Sequence, residues 1–571
     1  MQSAFLEQSF HKAKKHIKNG DKQSALLIYK KVLDKFPKNV RALNALNSID
    51  QLTVSNKQSS INEQNYIVQL YNNGQITEGI TECERLIKIY PYDFYIFNFL
   101  GIFFHALKKY NQAEKFYKIS TEINGNTSEI WSNFSVTQHS LGKYDEAIKS
   151  SEKALELRSD NSKALNNLGN AYFAKKEFNK ALEVLKQSLL IQPNDFCALN
   201  NLGNTYQKLS VYDKALENLL KAEAINNKDP DLLYNIGCAY RDIGKFELSI
   251  DNYIKSVQLN KNDNKAFIAL MEISFQLNLW KNYKNEFINF IQLNKDRSIN
   301  YYFSIYNLIN SFIENDSNQT EDELLKLQGY LKEDNFLRNT EDKDKIFIHA
   351  YFNLIKGMQN TRINYKGKLT KKINKIYHLG ESHSLSFNSC IINDNESSYV
   401  IEPTIIFGLK AWHLSQKNDN RFKSIFKEKI QRIPNHSKVL ISIGEIDCRE
   451  NEGIIDRHFK TDEKIEIIIN NTINGYLELI QKYITEKNLD TYFISVPAPI
   501  INENSKNKKL RISVVNIFNN CLKKSIQKFN GNYLDTYSLT SNEEGTSNNK
   551  FMIDEIHLHP KIFELIKKDI L

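Results

Sequence analysis

The feature that most constrains the fold of this chain is an internal repeat with a period of 34 residues. Small side chains recur at that spacing at Gly79, Ala113, Ala147, Ala181, Ala215 and Ser249. A second series of small residues lies twelve positions before the last five of these, at Gly101, Ser135, Gly169, Gly203 and Gly237. Small residues are needed where two helices pack closely together. The period therefore predicts stacked helical hairpins, in which each repeat contacts its neighbours.

Two segments repeat a longer pattern in register, NNLGNAYFAKKEFNKALEVL and NNLGNTYQKLSVYDKALENL. They resemble the tetratricopeptide repeat (TPR), which has the same period. We identify residues 1–279 as an α-helical TPR solenoid, and the resemblance implies a concave face that binds a protein or peptide partner. Residues 280–371 keep apolar side chains at helical spacing, which predicts degenerate repeats, a cap and a linker. The acidic, polar stretch 314–323 predicts a loop.

Four asparagines share the 34-residue period, at Asn133, Asn167, Asn201 and Asn235. An amide donates and accepts hydrogen bonds at once, so this series could hold an extended peptide backbone. Its helix position resembles the asparagine ladder of the repeat domain in O-GlcNAc transferase. The alternative is that these are consensus residues in an Asn-rich chain. A glycosyltransferase is disfavoured, because the roughly 200 residues after the array are too few for two nucleotide-sugar domains.

After residue 371 the pattern changes to short apolar strands that alternate with helical segments. Candidate strands span 375–380, 398–403, 438–444, 491–497 and 532–537. Alternation of this kind predicts a parallel sheet with helices on both faces and sites at the carboxyl ends of its strands. Three polar clusters occur there, GESHS at 380–384, GEIDCR at 444–449 and DEIHLH at 554–559. His378 lies within a strand, which favours a packed core histidine.

The first and last clusters supply a nucleophile and a base. Ser382 follows a strand and a glycine, His557 can accept its proton, and Asp554 can orient the imidazole. This layout resembles the SGNH, or GDSL-type, hydrolases over residues 374–571. The resemblance implies a three-layer, flavodoxin-like α/β domain at 372–571 with Ser382, Asp554 and His557 as its catalytic triad. It also makes Gly408 a candidate oxyanion-hole glycine.

Two positions depart from the SGNH pattern. Glu381 stands where the family usually has Asp, and Ile446 stands where the oxyanion-hole Asn is expected. An isoleucine donates no hydrogen bond, a loss of about 3–4 kcal/mol of transition-state stabilisation. Arg449 is a candidate replacement donor. Two functions stay open: a TPR-recruited serine esterase or acyltransferase acting on an acyl ester such as an O-acetylated carbohydrate, or a non-catalytic TPR scaffold with an inactive SGNH-like domain.

Composition removes other classes of function. The chain has 76 Lys and Arg against 67 Asp and Glu, and this small excess is spread along it, so no nucleic-acid partner is expected. No membrane association is expected, because no apolar stretch reaches membrane-spanning length. The six cysteines form no CxxC pair, which favours a reducing, cytoplasmic location without disulfides or structural zinc. A binuclear metallophosphoesterase is disfavoured because GNH(D/E) is missing, and we expect no metal or cofactor.

Overall fold

The computed structural model describes residues 2–18, 21–36, 39, 41–42, 45, 58–261, 264–293, 298–332, 342–359, 372–393, 397–450, 453–501, 507–528, 531–554 and 556–571. The chain forms two compact units, 1–211 and 212–571. The predicted domain limits at 279 and 371 fall inside the second unit and stay predictions.

The first unit is built from helical hairpins. From residue 61 onward, the first helix of each hairpin has 12 or 13 residues and the second has 14. Polar side chains begin several of the first helices, as where Asn161 accepts a hydrogen bond from the N–H of Ala164. The described helices are Gln2–Lys18, Lys22–Lys35, Ile61–Asn72, Ile76–Ile89, Phe94–Ala106, Tyr110–Ile123, Ser128–Ser140, Tyr144–Leu157, Ser162–Ala174, Phe178–Ile191 and Phe196–Lys208.

The two series of small residues lie where the paired helices meet, as the sequence predicts. A Cβ atom on Gly101 would lie 2.7 Å from the ring of Tyr117, and one on Gly169 would lie 2.6 Å from Leu185. Ala113 is fully buried in the same interface. The glycines therefore allow a large side chain of the second helix to lie directly against the backbone of the first.

The second unit begins with further repeat helices and continues with longer ones. A Cβ on Gly237 would lie 2.6 Å from Tyr253, so the repeat packing persists here. The loop predicted at 314–323 is wrong from Ser317 onward, because Asp316 accepts the N–H of Gln319 and begins a helix. The described helices are Tyr212–Ile225, Pro230–Asp242, Phe246–Leu259, Asn264–Gln276, Trp280–Leu293, Ser298–Ile313, Ser317–Lys332 and Asp342–Gln359.

A six-stranded sheet with the order β2-β3-β1-β4-β5-β6 completes the second unit. All neighbouring strands are parallel except β2 and β3, and the five predicted strands are confirmed as β1 and β3 to β6. Without the edge strand β2, the order β3-β1-β4-β5-β6 is that of flavodoxin-like sheets. In such sheets the chain adds strands first on one side of β1 and then on the other. The strands are β1 Lys372–Gly380, β2 Ile391–Asn393, β3 Ser397–Ile405, β4 Lys438–Ser442, β5 Asp490–Ile494 and β6 Asn532–Leu534.

Both faces of the sheet are buried, which explains the continuous apolar runs in its central strands. On one face, Leu440 and Ile494 pack with Phe563 near the carboxyl terminus. On the other face, Ile441 and Phe493 belong to a core that extends into the helices preceding the sheet. The described α-helices after β1 are Ala411–Ser415, Arg421–Arg432, Gly453–Thr461, Ile465–Lys487, Lys508–Gln527, Thr536–Thr540 and Phe563–Ile566.

Two glycine-to-alanine changes should shift stability in opposite directions. Gly169→Ala forces a Cβ against Leu185 and should cost about 1–3 kcal/mol. Gly329, within the helix Ser317–Lys332, has no atom within 4 Å of the place its Cβ would take, so Gly329→Ala should gain about 0.5–1 kcal/mol. Thermal unfolding followed by far-UV circular dichroism measures both. Equal shifts of the two midpoints would contradict the proposed helix packing.

Candidate functional site

A cleft opens at the carboxyl ends of β1, β4 and β5, at the edge where flavodoxin-like sheets bind ligands. Its empty space, together with the part that is open to solvent, is about 330 Å³, and His383, Glu445 and Leu558 are among the residues that line it. A neighbouring hollow, about 260 Å³ by the same measure, shares Glu445, Val496 and Pro497 with it. We call the two together the candidate cleft. Gly380 pairs with Ser442 in the sheet, so the segments after β1 and β4 enter the candidate cleft side by side.

Asp554 and His557 form the hydrogen-bonded pair that the DxxH motif predicts. The Nδ1 atom of His557 lies 2.7 Å from Oδ2 of Asp554, and the Oδ1 atom also accepts the N–H groups of Ile556 and His557. Burial alone would raise the pKa of Asp554. The hydrogen bond to the His557 ring, the charge of that ring and the two backbone N–H donors together outweigh burial and lower this pKa to about 2. The carboxylate is therefore charged and fixes the orientation of the imidazole.

The Nε2 atom of His557 is buried and bonds to none of the residues that the structure describes. The whole side chain is 1% exposed. Its ring centroid lies 5.2 Å from that of His383, whose Nε2 atom lies 3.0 Å from the carbonyl oxygen of Ile556. Burial and the neighbouring His557 lower the pKa of His383. A neutral His383 thus packs beside a histidine that has one nitrogen available to accept a proton.

Ser382 begins the 3-10 helix Ser382–Phe387, one residue after the end of β1, and is buried. Its hydroxyl and its N–H both donate to Oε2 of Glu381, the preceding residue. The other carboxylate oxygen, Oε1, accepts the hydroxyl of Tyr351 at 3.0 Å. The structure therefore brings Ser382 to Glu381, whereas the expected hydrogen bond from Ser382 to His557 is not formed.

Gly408 lies in an exposed turn after β3, where its φ of +66° favours glycine. Asp447 holds the chain that follows, because its carboxylate accepts the N–H of Ala411 at 2.7 Å and that of Trp412 at 3.0 Å. Burial raises the pKa of Asp447 to about 6. This aspartate of the second cluster therefore positions the segment that directly follows the turn with Gly408.

Arg449 is paired with Glu445 rather than directed at Ser382. Its Nε and Nη2 atoms donate to Oε2 of Glu445 at 2.9 and 2.7 Å. Burial would raise the pKa of Glu445, but the Arg449 charge brings it below its usual value. Ile446 is buried in the intervening turn and supplies no donor.

His378 is a core residue, as its place within β1 predicts. It is fully buried, stacks on Phe387 with ring centroids 5.3 Å apart, and its Nε2 atom lies 2.9 Å from the hydroxyl of Ser442. Burial lowers its pKa to about 3, so it is neutral in the folded protein. The residues that sequence reasoning missed are Tyr351 and Arg511, which lie on helices with no motif to mark them.

Three of the four repeat asparagines lie in the first unit, and each links its helix to the one 34 residues earlier. Asn133 donates to Oδ1 of Asn98 at 3.2 Å, and Asn167 donates to the carbonyl oxygen of Ser132 at 2.9 Å. The bond of Asn201 is made to Oδ1 of Asn166. All three side chains are half-buried, and so is Asn235 in the second unit. The amides thus carry structural bonds, and the peptide-binding role stays a prediction.

Residues 139–202 and 230–263 match models of the tetratricopeptide repeat family, which confirms the TPR assignment for this part of the chain. Arrays of such repeats are protein–protein interaction modules that bind protein or peptide partners. No curated protein matches the chain. The SGNH resemblance of residues 374–571 therefore stays a prediction.

Several solved TPR proteins are similar in structure. A thermophilic TPR protein of Thermus thermophilus has 21% identity over 30% of this chain and 95% of its own, with a TM-score of 0.29. A TPR protein from Parabacteroides merdae has 14% identity over 47% and 98%, with a TM-score of 0.32. YrrB, a TPR protein with an unusual peptide-binding site, has 20% identity over 33% and 96%, with a TM-score of 0.26.

Within the residues that the structure describes, no three His, Cys, Asp or Glu side chains are grouped so that they could hold a metal ion. The same described ranges contain no helix of the length and apolarity required to cross a bilayer.

Asp554→Asn should lower the free energy of unfolding at neutral pH by about 1–2 kcal/mol, a range reduced for partial solvent screening. A carboxyl whose folded-state pKa lies below its usual 3.8 stabilises the fold above that pH and loses this contribution as the pH falls toward 2. The difference between the parent and the variant should shrink between about pH 5 and pH 2. Urea unfolding across this range measures it. A constant difference would contradict the ionised Asp554–His557 pair.

Proposed function

We propose that residues 372–571 form an SGNH-type serine esterase or acyltransferase domain, which the TPR array recruits to a protein partner. The Asp554–His557 pair carries this proposal. A serine hydrolase needs a carboxylate on one imidazole nitrogen and an available second nitrogen that faces the nucleophile. His557 has the first of these, since Asp554 binds its Nδ1 atom, and its buried Nε2 atom has no described partner, which supports the second.

The reaction would begin when the Ser382 hydroxyl rotates from Glu381 toward His557. The Oγ atom attacks the carbonyl carbon of the ester while its proton passes to Nε2 of His557. The imidazolium, stabilised by Asp554, returns this proton to the leaving alcohol as the old ester bond breaks. Water then attacks the acyl-serine in an esterase, or an acceptor hydroxyl does so in an acyltransferase, and Ser382 is regenerated.

The oxyanion site is the weakest part of this machinery. The SGNH resemblance assigns one donor to the backbone N–H of Gly408, which Asp447 helps to position through the following turn. Ile446 supplies no donor, and Arg449 is engaged by Glu445. Removal of one donor costs about 3–4 kcal/mol of transition-state stabilisation, so turnover should be slow compared with a complete site. The substrate class, an acyl ester on a carbohydrate, is inferred by analogy alone.

A non-catalytic TPR scaffold is the second candidate, and one observation favours it. Both the hydroxyl and the N–H of Ser382 bond to Glu381, which withdraws the nucleophile from His557. In this candidate the repeats bind peptide segments, and the sheet domain is an inactive relative of the hydrolases.

Hydrolysis of para-nitrophenyl acetate separates the two candidates, because this ester requires only an activated hydroxyl and an oxyanion site. The full chain should hydrolyse it, Ser382→Ala should abolish the activity, and Asp554→Asn should slow it by about ten-thousand-fold. The rate should fall at acid pH, since only a neutral His557 accepts a proton. His559→Gln is the matched control and should keep the parental rate. Absence of activity together with no labelling by a serine-directed fluorophosphonate would support the scaffold.

Glu381→Ala should raise kcat for the same ester severalfold. The change removes the acceptor that binds the Ser382 hydroxyl and frees the nucleophile for His557. Glu381→Gln keeps the shape of the side chain with a weaker, uncharged acceptor, so its rate should lie between those of the parent and Glu381→Ala. Steady-state kinetics with a circular-dichroism check of folding measures this. A loss of activity in both folded variants would show that Glu381 supports the nucleophile rather than restraining it.

A further inference from the structure

One wall of the candidate cleft holds an arginine, Arg511, whose donors the described residues engage only in part. Arg511 lies in the first turn of the helix Lys508–Gln527, and its side chain is 18% exposed. Its Nε atom is buried and bonds to no described residue. Nη1 is 3.5 Å from the carbonyl oxygen of Ile500, and Nη2 is 3.8 Å from Oε1 of Glu445. A guanidinium has five N–H donors, so the described residues engage only part of the hydrogen-bonding capacity of Arg511.

Glu445 does not satisfy Arg511, because it is already bound by another arginine. Arg449 holds the Glu445 carboxylate with two donors at 2.9 and 2.7 Å. Two guanidinium groups therefore share one carboxylate, and this trio carries a net positive charge of one. Val515 and Met552 line the same hollow. An apolar surround of this kind strengthens the interaction of a charged ligand with Arg511.

The hollow beside Arg511 adjoins the Asp554–His557 segment. Its lining includes Ile556, the residue before His557, and it shares Glu445 with the hollow that His383 lines. The two hollows are lined by His383 and Ile556, the sequence neighbours of Ser382 and His557, rather than by Ser382 and His557 themselves. A substituent on an ester held at the proposed triad would therefore pass these neighbours to reach Arg511.

We propose that Arg511 binds an anionic oxygen group, a carboxylate or a phosphate, on the substrate of the domain. The planar fork of a guanidinium pairs with two oxygens of such a group, which selects it over a neutral substituent. This inference rests on the proposed esterase function and specifies its substrate class, an acyl ester that carries a negative charge near the ester bond.

Binding is measured in a Ser382→Ala background, so that no turnover occurs. Calorimetric titration with malonate and with inorganic phosphate should show saturable binding, and the tighter of the two identifies the anion class. Adding Arg511→Gln should weaken it at least tenfold, the loss expected from charge-assisted hydrogen bonds. Arg511→Lys keeps the charge without the fork and should bind with intermediate affinity. Lys509 is exposed on the same helix, so Lys509→Gln is the charge-matched control and should bind like the background protein.

The Arg511 variants should fold like the background protein, because Glu445 keeps its two bonds to Arg449 when Arg511 is replaced. Thermal unfolding of each variant checks this. Equal affinity in Arg511→Gln and its background would overturn the proposal, and so would the absence of saturable binding of both anions in the background protein.

Kinetics then connect the anion site to the reaction. The full chain should prefer para-acetoxybenzoate, which carries a carboxylate, over its neutral methyl ester, and Arg511→Gln should lower the ratio of the two kcat/KM values at least tenfold. The ratio cancels the intrinsic reactivity of the esters, because each is compared with itself in both proteins. Arg511-dependent binding without hydrolysis would reject the proposed esterase while retaining the anion site. Hydrolysis with an unchanged ratio would overturn the anion site and retain the esterase.

Discussion

The arrangement of the candidate site depends on one helix, Asp342–Gln359. This helix contacts both the segment that contains Ser382 and the segment that contains Asp554 and His557. Near its middle, Tyr351 donates to Glu381, which in turn binds Ser382. Near its end, a Cβ on Gly357 would collide with Ile553, beside the Asp554–His557 pair. Ser382 and His557, the proposed nucleophile and base, come from the two ends of the sheet domain, more than 170 residues apart in sequence. A helix that precedes the sheet therefore contacts the immediate neighbours of both.

An aromatic cluster holds this helix in place. The ring of Phe407 lies 5.3 Å from both Phe347 and Tyr351, and 5.1 Å from Phe275 of an earlier helix. Phe407 directly precedes Gly408, so the turn with the candidate oxyanion glycine is anchored in the helical part of the same unit. Buried aromatic rings contribute large apolar areas and defined edge-to-face geometry. Burial also raises the pKa of Tyr351, which keeps its hydroxyl protonated as the donor to Glu381.

Sequence reasoning succeeded where the signal was local. The five parallel strands follow from short apolar runs, and the Asp554–His557 bond follows from a spacing of three residues within one loop. It failed where distant segments meet, since neither period nor motif places Tyr351 beside Glu381 or Arg511 beside Glu445.

Polar residues gave one wrong prediction, for the segment after Asp316, and left the orientation of the repeat asparagines open. The acidic stretch after Asp316 has loop-like residues, yet Asp316 caps a helix there. The 34-residue period located Asn133 and its equivalents correctly. It could not distinguish an amide that faces a ligand from one that bonds to the neighbouring helix, because both orientations give the same period.

The buried His378 limits the acidity that the sheet can tolerate. Its pKa is about 3 in the folded protein against an ordinary 6.5. Between these two values the unfolded chain binds a proton at His378 and the folded chain does not. Each pH unit below about 6.5 then removes up to about 1.4 kcal/mol of stability, until the pH approaches 3. His413 is stacked on Phe422, and burial lowers its pKa to about 3 as well. It therefore destabilises the fold at acid pH in the same way. Mild acidification would therefore destabilise the sheet domain through residues that take no part in the proposed reaction.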